Sequence, residues 1–166
     1  RQVIEFSPPD EPTKGLGFLL CPNGDQEHQF EATYAAMESL CNSVAGANLS
    51  EREARQTLYQ RLVPKLQYPL HLTSFSTAQC NRINSLVRKT FLPPMRMNRN
   101  MPNAVVFGPL EYGGMEYPEA YCLQDQTQLP YLLKQLRWDK DVANDLLVTL
   151  DLLQLQSGFI KSIMEH

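Results

Sequence analysis

The apolar positions of this chain change their period along its length, and each change marks an element. Val3-Ile4-Glu5-Phe6 is a short β-prone run that stops at Pro8-Pro9. Gly15 to Cys21 is a second strand candidate, closed by Pro22-Asn23-Gly24-Asp25, where Asn and Gly tolerate the positive φ of a tight turn. From Gln26 to Val44 the period becomes helical, with Phe30, Tyr34, Met37, Leu40, Cys41 and Val44 recurring at 3–4 residue intervals. Gly46-Ala47-Asn48-Leu49 breaks that helix. Ser50-Glu51-Arg52-Glu53 then has the form of a capping box, and opens a helix carrying Ala54, Leu58, Leu62 and Leu66 that is disturbed near Pro64.

Leu66 to Leu72 is expected to be an apolar connector, because Pro69 biases Tyr68 toward an extended backbone. Ser76-Thr77-Ala78-Gln79 is a second cap, opening a helix with Cys80, Ile83, Leu86, Val87, Thr90 and Phe91 on one side, which Pro93-Pro94 ends. An irregular segment follows, then Ala104-Val105-Val106-Phe107 as a short strand or extended run, then glycine-marked loops at Gly108-Pro109 and Gly113-Gly114. In the last third, Gln124 to Arg137 reads as a helix with Leu129, Leu132, Leu133 and Leu136, in which Pro130 is tolerable only in a first turn. Asp139 to Met164 carries Val142, Leu146, Leu147, Leu150, Leu153 and Leu155, as one long helix or two joined near Gly158.

The predicted fold class is therefore mainly α: a short N-terminal β element over residues 1–25, and a helical body over 26–166 with an irregular basic insertion at about 92–118. With 166 residues, 43% of them hydrophobic, the chain can fill one core and is short for two domains. Two short strands cannot hold themselves up alone, so they should pack on the following helices or on missing sheet partners.

Charge narrows the function. The formal net charge of −3 argues against a wholesale nucleic-acid coat or a polybasic membrane surface, though not against a local site. Cys21, Cys41, Cys80 and Cys122 are too widely spaced for a zinc knuckle or ribbon and read as buried free thiols. The three histidines form no short-spaced pair with another ligand, so no metal or other cofactor is expected. The sequence has no apolar run of spanning length and no signal-peptide pattern, which leads to the expectation of a soluble intracellular protein of cytoplasm or nucleus. A start at Arg1 rather than Met fits a processed or excised piece.

Catalytic constellations are missing from the pattern. The acidic residues are scattered, and Asp139, Asp141, Asp145 and Asp151 are explained by a helix start and a solvated face. Neither a GxSxG elbow nor a setting that would activate a thiol is present. Gly15-x-Gly17 lacks the context of a phosphate loop, His28 reads as a solvated or capping residue, and His71 as a half-buried structural donor. No catalytic residue is assigned.

What stands out is Gln79 to Leu110, with Arg82, Arg88, Lys89, Arg96 and Arg99 and no Asp or Glu. Guanidinium forks suit phosphate oxygens, and Asn98, Asn100 and Asn103 could read a sugar or base edge, so these residues form the candidate nucleic-acid site. A structural alternative stays open: a solvated helix face and a loop whose arginines neutralise acidic helices of the same molecule. Met95, Met97 and Met101 fit either core filling or a pliable contact surface.

The order Lys14-Gly-Leu-Gly17, Pro22-Asn-Gly24, Leu66-x-Tyr-Pro69, Leu92-Pro-Pro-Met-Arg-Met-Asn-Arg99, Pro102-x-Ala-Val-Val-Phe-Gly-Pro109 and Tyr112-Gly-Gly114 resembles the region downstream of the catalytic core in retroelement reverse transcriptases. The likeness is to non-LTR-like retrotransposon polyproteins of microalgae and oomycetes, and it spans Lys14 to about Gly158. The resemblance implies that Leu16 and Gly17 end a palm and that the helices after Ser50 form a thumb or connection region gripping a template–primer duplex. The family's Tyr-x-Asp-Asp signature is absent from this sequence. The resemblance thus implies a non-catalytic region that positions an RNA or DNA backbone beside an upstream polymerase domain. The alternative is a structural or protein-interaction module derived from a retroelement, with apolar helix faces that contact a protein or self-associate.

Overall fold

The computed structural model describes residues 8–138 and 140–158; the Val3–Phe6 strand and the end of the last predicted helix, after Gly158, lie outside them. The chain forms two compact units, residues 1–127 and 128–166. It is mainly helical with one two-stranded antiparallel sheet, β1 (Thr13–Gly15) paired to β2 (Phe18–Leu20). The single strand expected over Gly15–Cys21 is thus the turn and second arm of a hairpin. Leu16 (φ 49°) and Gly17 (φ 88°) supply the two positive-φ residues that let right-twisted strands reverse in two residues. Phe18 stacks on Tyr68 with ring centroids 4.8 Å apart, and the Leu19 N–H donates to Gln29 Oε1 at 2.6 Å, so the hairpin sits on the helices of the first unit.

Helix α1 (Glu27–Ala45) turns Phe30, Met37 and Cys41 inward. Both sequence-predicted capping boxes form. Ser50 and Glu53 exchange bonds ahead of α2 (Glu51–Thr57), and Ser76 and Gln79 do so ahead of α4 (Thr77–Phe91). Between them the helical run continues further than the prolines suggest. A π-helical turn over Leu58–Leu62 leads into α3 (Val63–Leu70), with Pro64 in the first turn of α3 and Pro69 inside it. The wider turn absorbs the proline that has no N–H to give.

The Leu66–Leu72 connector is therefore corrected to a helix. Leu66, Pro69 and Leu70 are buried, and Thr73 Oγ1 donates to the Pro69 carbonyl at 2.7 Å. That burial outweighs the cost of a proline inside the helix, about 3 kcal/mol against several for three buried apolar side chains.

One core runs through the first unit. Phe30, Met37 and Cys41 of α1 meet Leu58, Leu62, Leu66 and Leu70 and the inner face of α4, with Phe75 edge-on to Phe30 at 5.3 Å. The basic insertion is part of this core rather than an appendage, since Met95, Val106, Met115 and Tyr117 are buried in it. Its expected strand at Ala104–Phe107 is instead one helical turn, α5 (Asn103–Val106). The β-branched residues there are satisfied another way: the carbonyls of Val105 and Val106 accept from Met115 and Tyr117 N–H at 2.8 and 2.9 Å. Gly108 and Gly114 approach so closely that a Cβ on Gly114 would sit 2.0 Å from the Gly108 carbonyl oxygen.

Helix α6 (Ala120–Trp138) begins four residues before the predicted start, so Pro130 lies in its interior. Its first turn is anchored: the Ala120 N–H donates to Asn84 Oδ1 at 2.9 Å, and Gln124 Oε1 accepts from Phe75 N–H at 2.7 Å. Those tertiary bonds start the helix where the local pattern does not. Helix α7 (Lys140–Ser157) ends at Gly158, whose φ of 73° provides a left-handed exit.

Candidate functional site

The predicted basic residues do not form one surface. Arg82 lies flat over Phe30 and Tyr34, 4.9 and 4.7 Å from the ring centroids, and its Nη1 pairs with Glu31 at 3.0 Å. Arg88 points the other way and staples the insertion to α4. Its Nη2 donates to the Arg99 carbonyl at 3.0 Å and to the Met101 carbonyl, and its Nη1 donates to Asn103 Oδ1. These two guanidinium groups, expected on phosphates, are engaged inside the molecule. Arg82 of α4 pairs with an acidic residue of α1, and Arg88 closes a loop onto carbonyls.

The other cations are exposed. Lys89 and Arg99 line a shallow cavity of about 340 Å³ with Asn48, Thr90, Pro93 and Pro94. Arg96 occupies the left-handed exit (φ 58°) of the 3-10 turn Pro93–Met95, where the chain reverses. Asn98 Oδ1 accepts from the Asn100 N–H at 2.9 Å, a local turn bond, and Asn103 is held by Arg88. The methionines divide. Met95 is buried and accepts from the Tyr117 hydroxyl, Met101 packs on the core, and Met97 is 38% exposed.

Neither thiol nor imidazole chemistry is set up. Cys21, Cys41 and Cys80 are buried free thiols as expected, whereas Cys122 is exposed. Burial, and then a hydrogen bond to Glu119 and its charge, push the Cys122 pKa up, which opposes thiolate formation. His71 is exposed, its Nδ1 2.9 Å from the Gln67 carbonyl. Among the described residues no three His, Cys, Asp or Glu side chains cluster as metal ligands, and no helix is long and apolar enough to cross a membrane.

No family model, curated protein or solved structure matches this chain. We therefore withdraw the description of it as reverse-transcriptase-like, retrotransposon-derived, a thumb domain or nucleic-acid-binding. The runs that carried the resemblance have local structural duties here. Leu16-Gly17 is a hairpin turn tied to Tyr68, whose hydroxyl donates to the Leu16 carbonyl, and Pro93-Pro94-Met95 is a 3-10 turn. In Tyr112-Gly113-Gly114 the Gly114 N–H returns to the Pro109 carbonyl at 2.9 Å.

The feature that sequence reasoning passed over is in the second unit. There several of the leucines that read as core positions are exposed, while Leu132, Leu136, Leu146 and Leu150 are half-buried. Among the described residues of α7 only Ala143 is buried, while Leu147, Val148, Leu152, Leu153 and Leu155 are 45, 59, 55, 51 and 78% exposed. On the part of α6 in this unit, Leu129, Tyr131, Leu133 and Trp138 are exposed too, with Lys134 Nζ 4.6 Å over the Trp138 ring. The available signal was the density of leucine on more than one face of a single helical segment, which a two-sided burial or a partner must explain.

Proposed function

We propose that this chain is a helical protein-interaction module, in which the packed first unit is a scaffold and the segment from Gln128 through α7 is the surface a partner protein covers. The exposure of α7 carries the reading: an 18-residue helix with one buried residue keeps Leu147, Leu152, Leu153 and Leu155 in water. Helices of this length are marginal on their own, and most of their stability comes from covering an apolar face. Apolar area left in water forgoes about 25 cal/mol per Å², so contiguous exposed leucines mark a contact surface rather than a solvent face. The basic segment, with two of its arginines engaged internally, gives no comparable surface.

A photo-crosslinking amino acid in place of Leu147, introduced in cells that produce the protein, tests this. A discrete protein adduct is expected, and its loss when Leu150→Asp is added. Absence of any protein adduct would overturn the reading.

A further inference from the structure

We infer that the cleft between the hairpin, α1 and α3 binds a small organic phosphate monoester, at a site independent of the interaction surface above. The cavity has a volume of about 300 Å³ and lies wholly within the first unit. Lys14 and Leu19, partners across the hairpin and so on one face of it, form one wall. Lys65 and Tyr68 of α3 form the other, over a floor of Gln29, Ala32 and Ala36 from α1. The walls are set in place. The Tyr68 hydroxyl donates to the Leu16 carbonyl, Phe18 stacks on the Tyr68 ring, and a Cβ on Gly17 would stand 3.1 Å from that hydroxyl.

Charge gives the class of ligand. The two charged side chains that line the cavity are both lysines, in a chain with 15 Lys+Arg against 18 Asp+Glu. Among the described residues no Asp or Glu pairs with either of them, so both walls carry a positive charge without a counter-charge. A phosphate monoester brings close to two negative charges at pH 7, since its second pKa is about 6. A single carboxylate would answer only one lysine.

The floor adds a donor. Gln29 is 6% exposed; its Oε1 accepts the Leu19 N–H at 2.6 Å, which fixes Nε2 as the donor end, and Nε2 gives one N–H to Thr33 Oγ1 at 3.0 Å. The second N–H of that amide has no acceptor among the described residues, on a side chain that lines the cavity. Ala32, Ala36 and Leu19 leave room beside it for a short hydrocarbon body, in a volume at the lower end of small-molecule pockets. Lys89 and Arg99 make no such site. Their cavity adjoins the last turns of α1 and α4, where cations answer the negative helix ends without a ligand.

Calorimetric titration of the full chain with phenyl phosphate should show one site with a Kd below about 1 mM. The Gln29 side-chain amide signal should shift in ¹⁵N NMR over the same titration. Replacing both exposed lysines, Lys14→Ala with Lys65→Ala, should weaken binding about tenfold or more. Ala36→Leu fills the floor and leaves every charge in place; it should weaken binding as much while the circular-dichroism melt is retained. Absence of binding up to ~10 mM, or binding that neither variant changes, would overturn the inference. Equal binding of succinate would overturn the phosphate, and equal binding of inorganic phosphate would overturn the hydrocarbon body.

Discussion

Arg88 separates a structural role for the basic segment from a binding one. Arg88→Met keeps the aliphatic stem that packs between α4 and the insertion, and deletes the three donated bonds to Asn103 Oδ1 and to the Arg99 and Met101 carbonyls. Charge-assisted bonds in buried surroundings are worth about 1.5–3 kcal/mol each, and exposed ones roughly 1 or less. One of the three is partly buried and two are exposed, so about 3 kcal/mol is lost. The substitution also removes Arg88 Nε, which is buried without a partner and returns about 1 kcal/mol. The expected net destabilisation is about 2 kcal/mol, measured by urea titration followed at 222 nm.

Arg88→Lys should fare no better, because an ammonium cannot serve three divergent acceptors. Tryptic cleavage after Arg96 and Arg99 should accelerate as the loop is released. Lys89→Ala and Arg96→Ala, with exposed side chains, should stay within about 0.5 kcal/mol of the parent. If Arg88→Met matched them in stability and proteolysis, the staple would be refuted.

Two further outcomes follow from local geometry. Gly114→Ala should cost about 3 kcal/mol in the same titration, because the new Cβ meets backbone at 2.0 Å, whereas Gly15→Ala, with nothing within 4 Å, should be close to neutral. At the α2 cap, Ser50→Ala should cost about 1 kcal/mol. The bonds from Ser50 lower the Glu53 pKa, so this part of the stability is present above the unfolded value, near 4.5, and fades as pH falls through the lower folded value. A Ser50→Ala variant whose acid melting curve kept the parent's slope through that window would show that the box is not formed in solution.

Much of the fold was legible because it depends on short-range chemistry. The caps at Ser50 and Ser76 and the inward face of α4 each require only residues within a few positions of one another. Hydroxyl-to-amide and carboxylate-to-amide geometry at that spacing has few alternatives. The candidate site was less legible. Arg82 and Arg88 carry the same side chain six residues apart on one helix, yet one stacks on Phe30 and Tyr34 and the other reaches the 99–103 loop. A count of charges cannot distinguish a guanidinium in water from one bonded to carbonyls 11 and 13 residues away.

By itself, then, the sequence determined a mainly helical chain, the places where most of its helices start, and the inward stripes of α1, α2 and α4, because those follow from periodicity and capping. Tertiary structure decided the rest. It kept Pro69 and Pro130 inside helices and turned Ala104–Phe107 from a strand into a helical turn. It also buried Met95, Val106, Met115 and Tyr117 of the insertion and left Leu147, Leu152, Leu153 and Leu155 of α7 exposed. For the buried elements the reason is the same: burial of several apolar groups outweighs a local preference of about 1–3 kcal/mol, and only the assembled chain specifies which groups are buried.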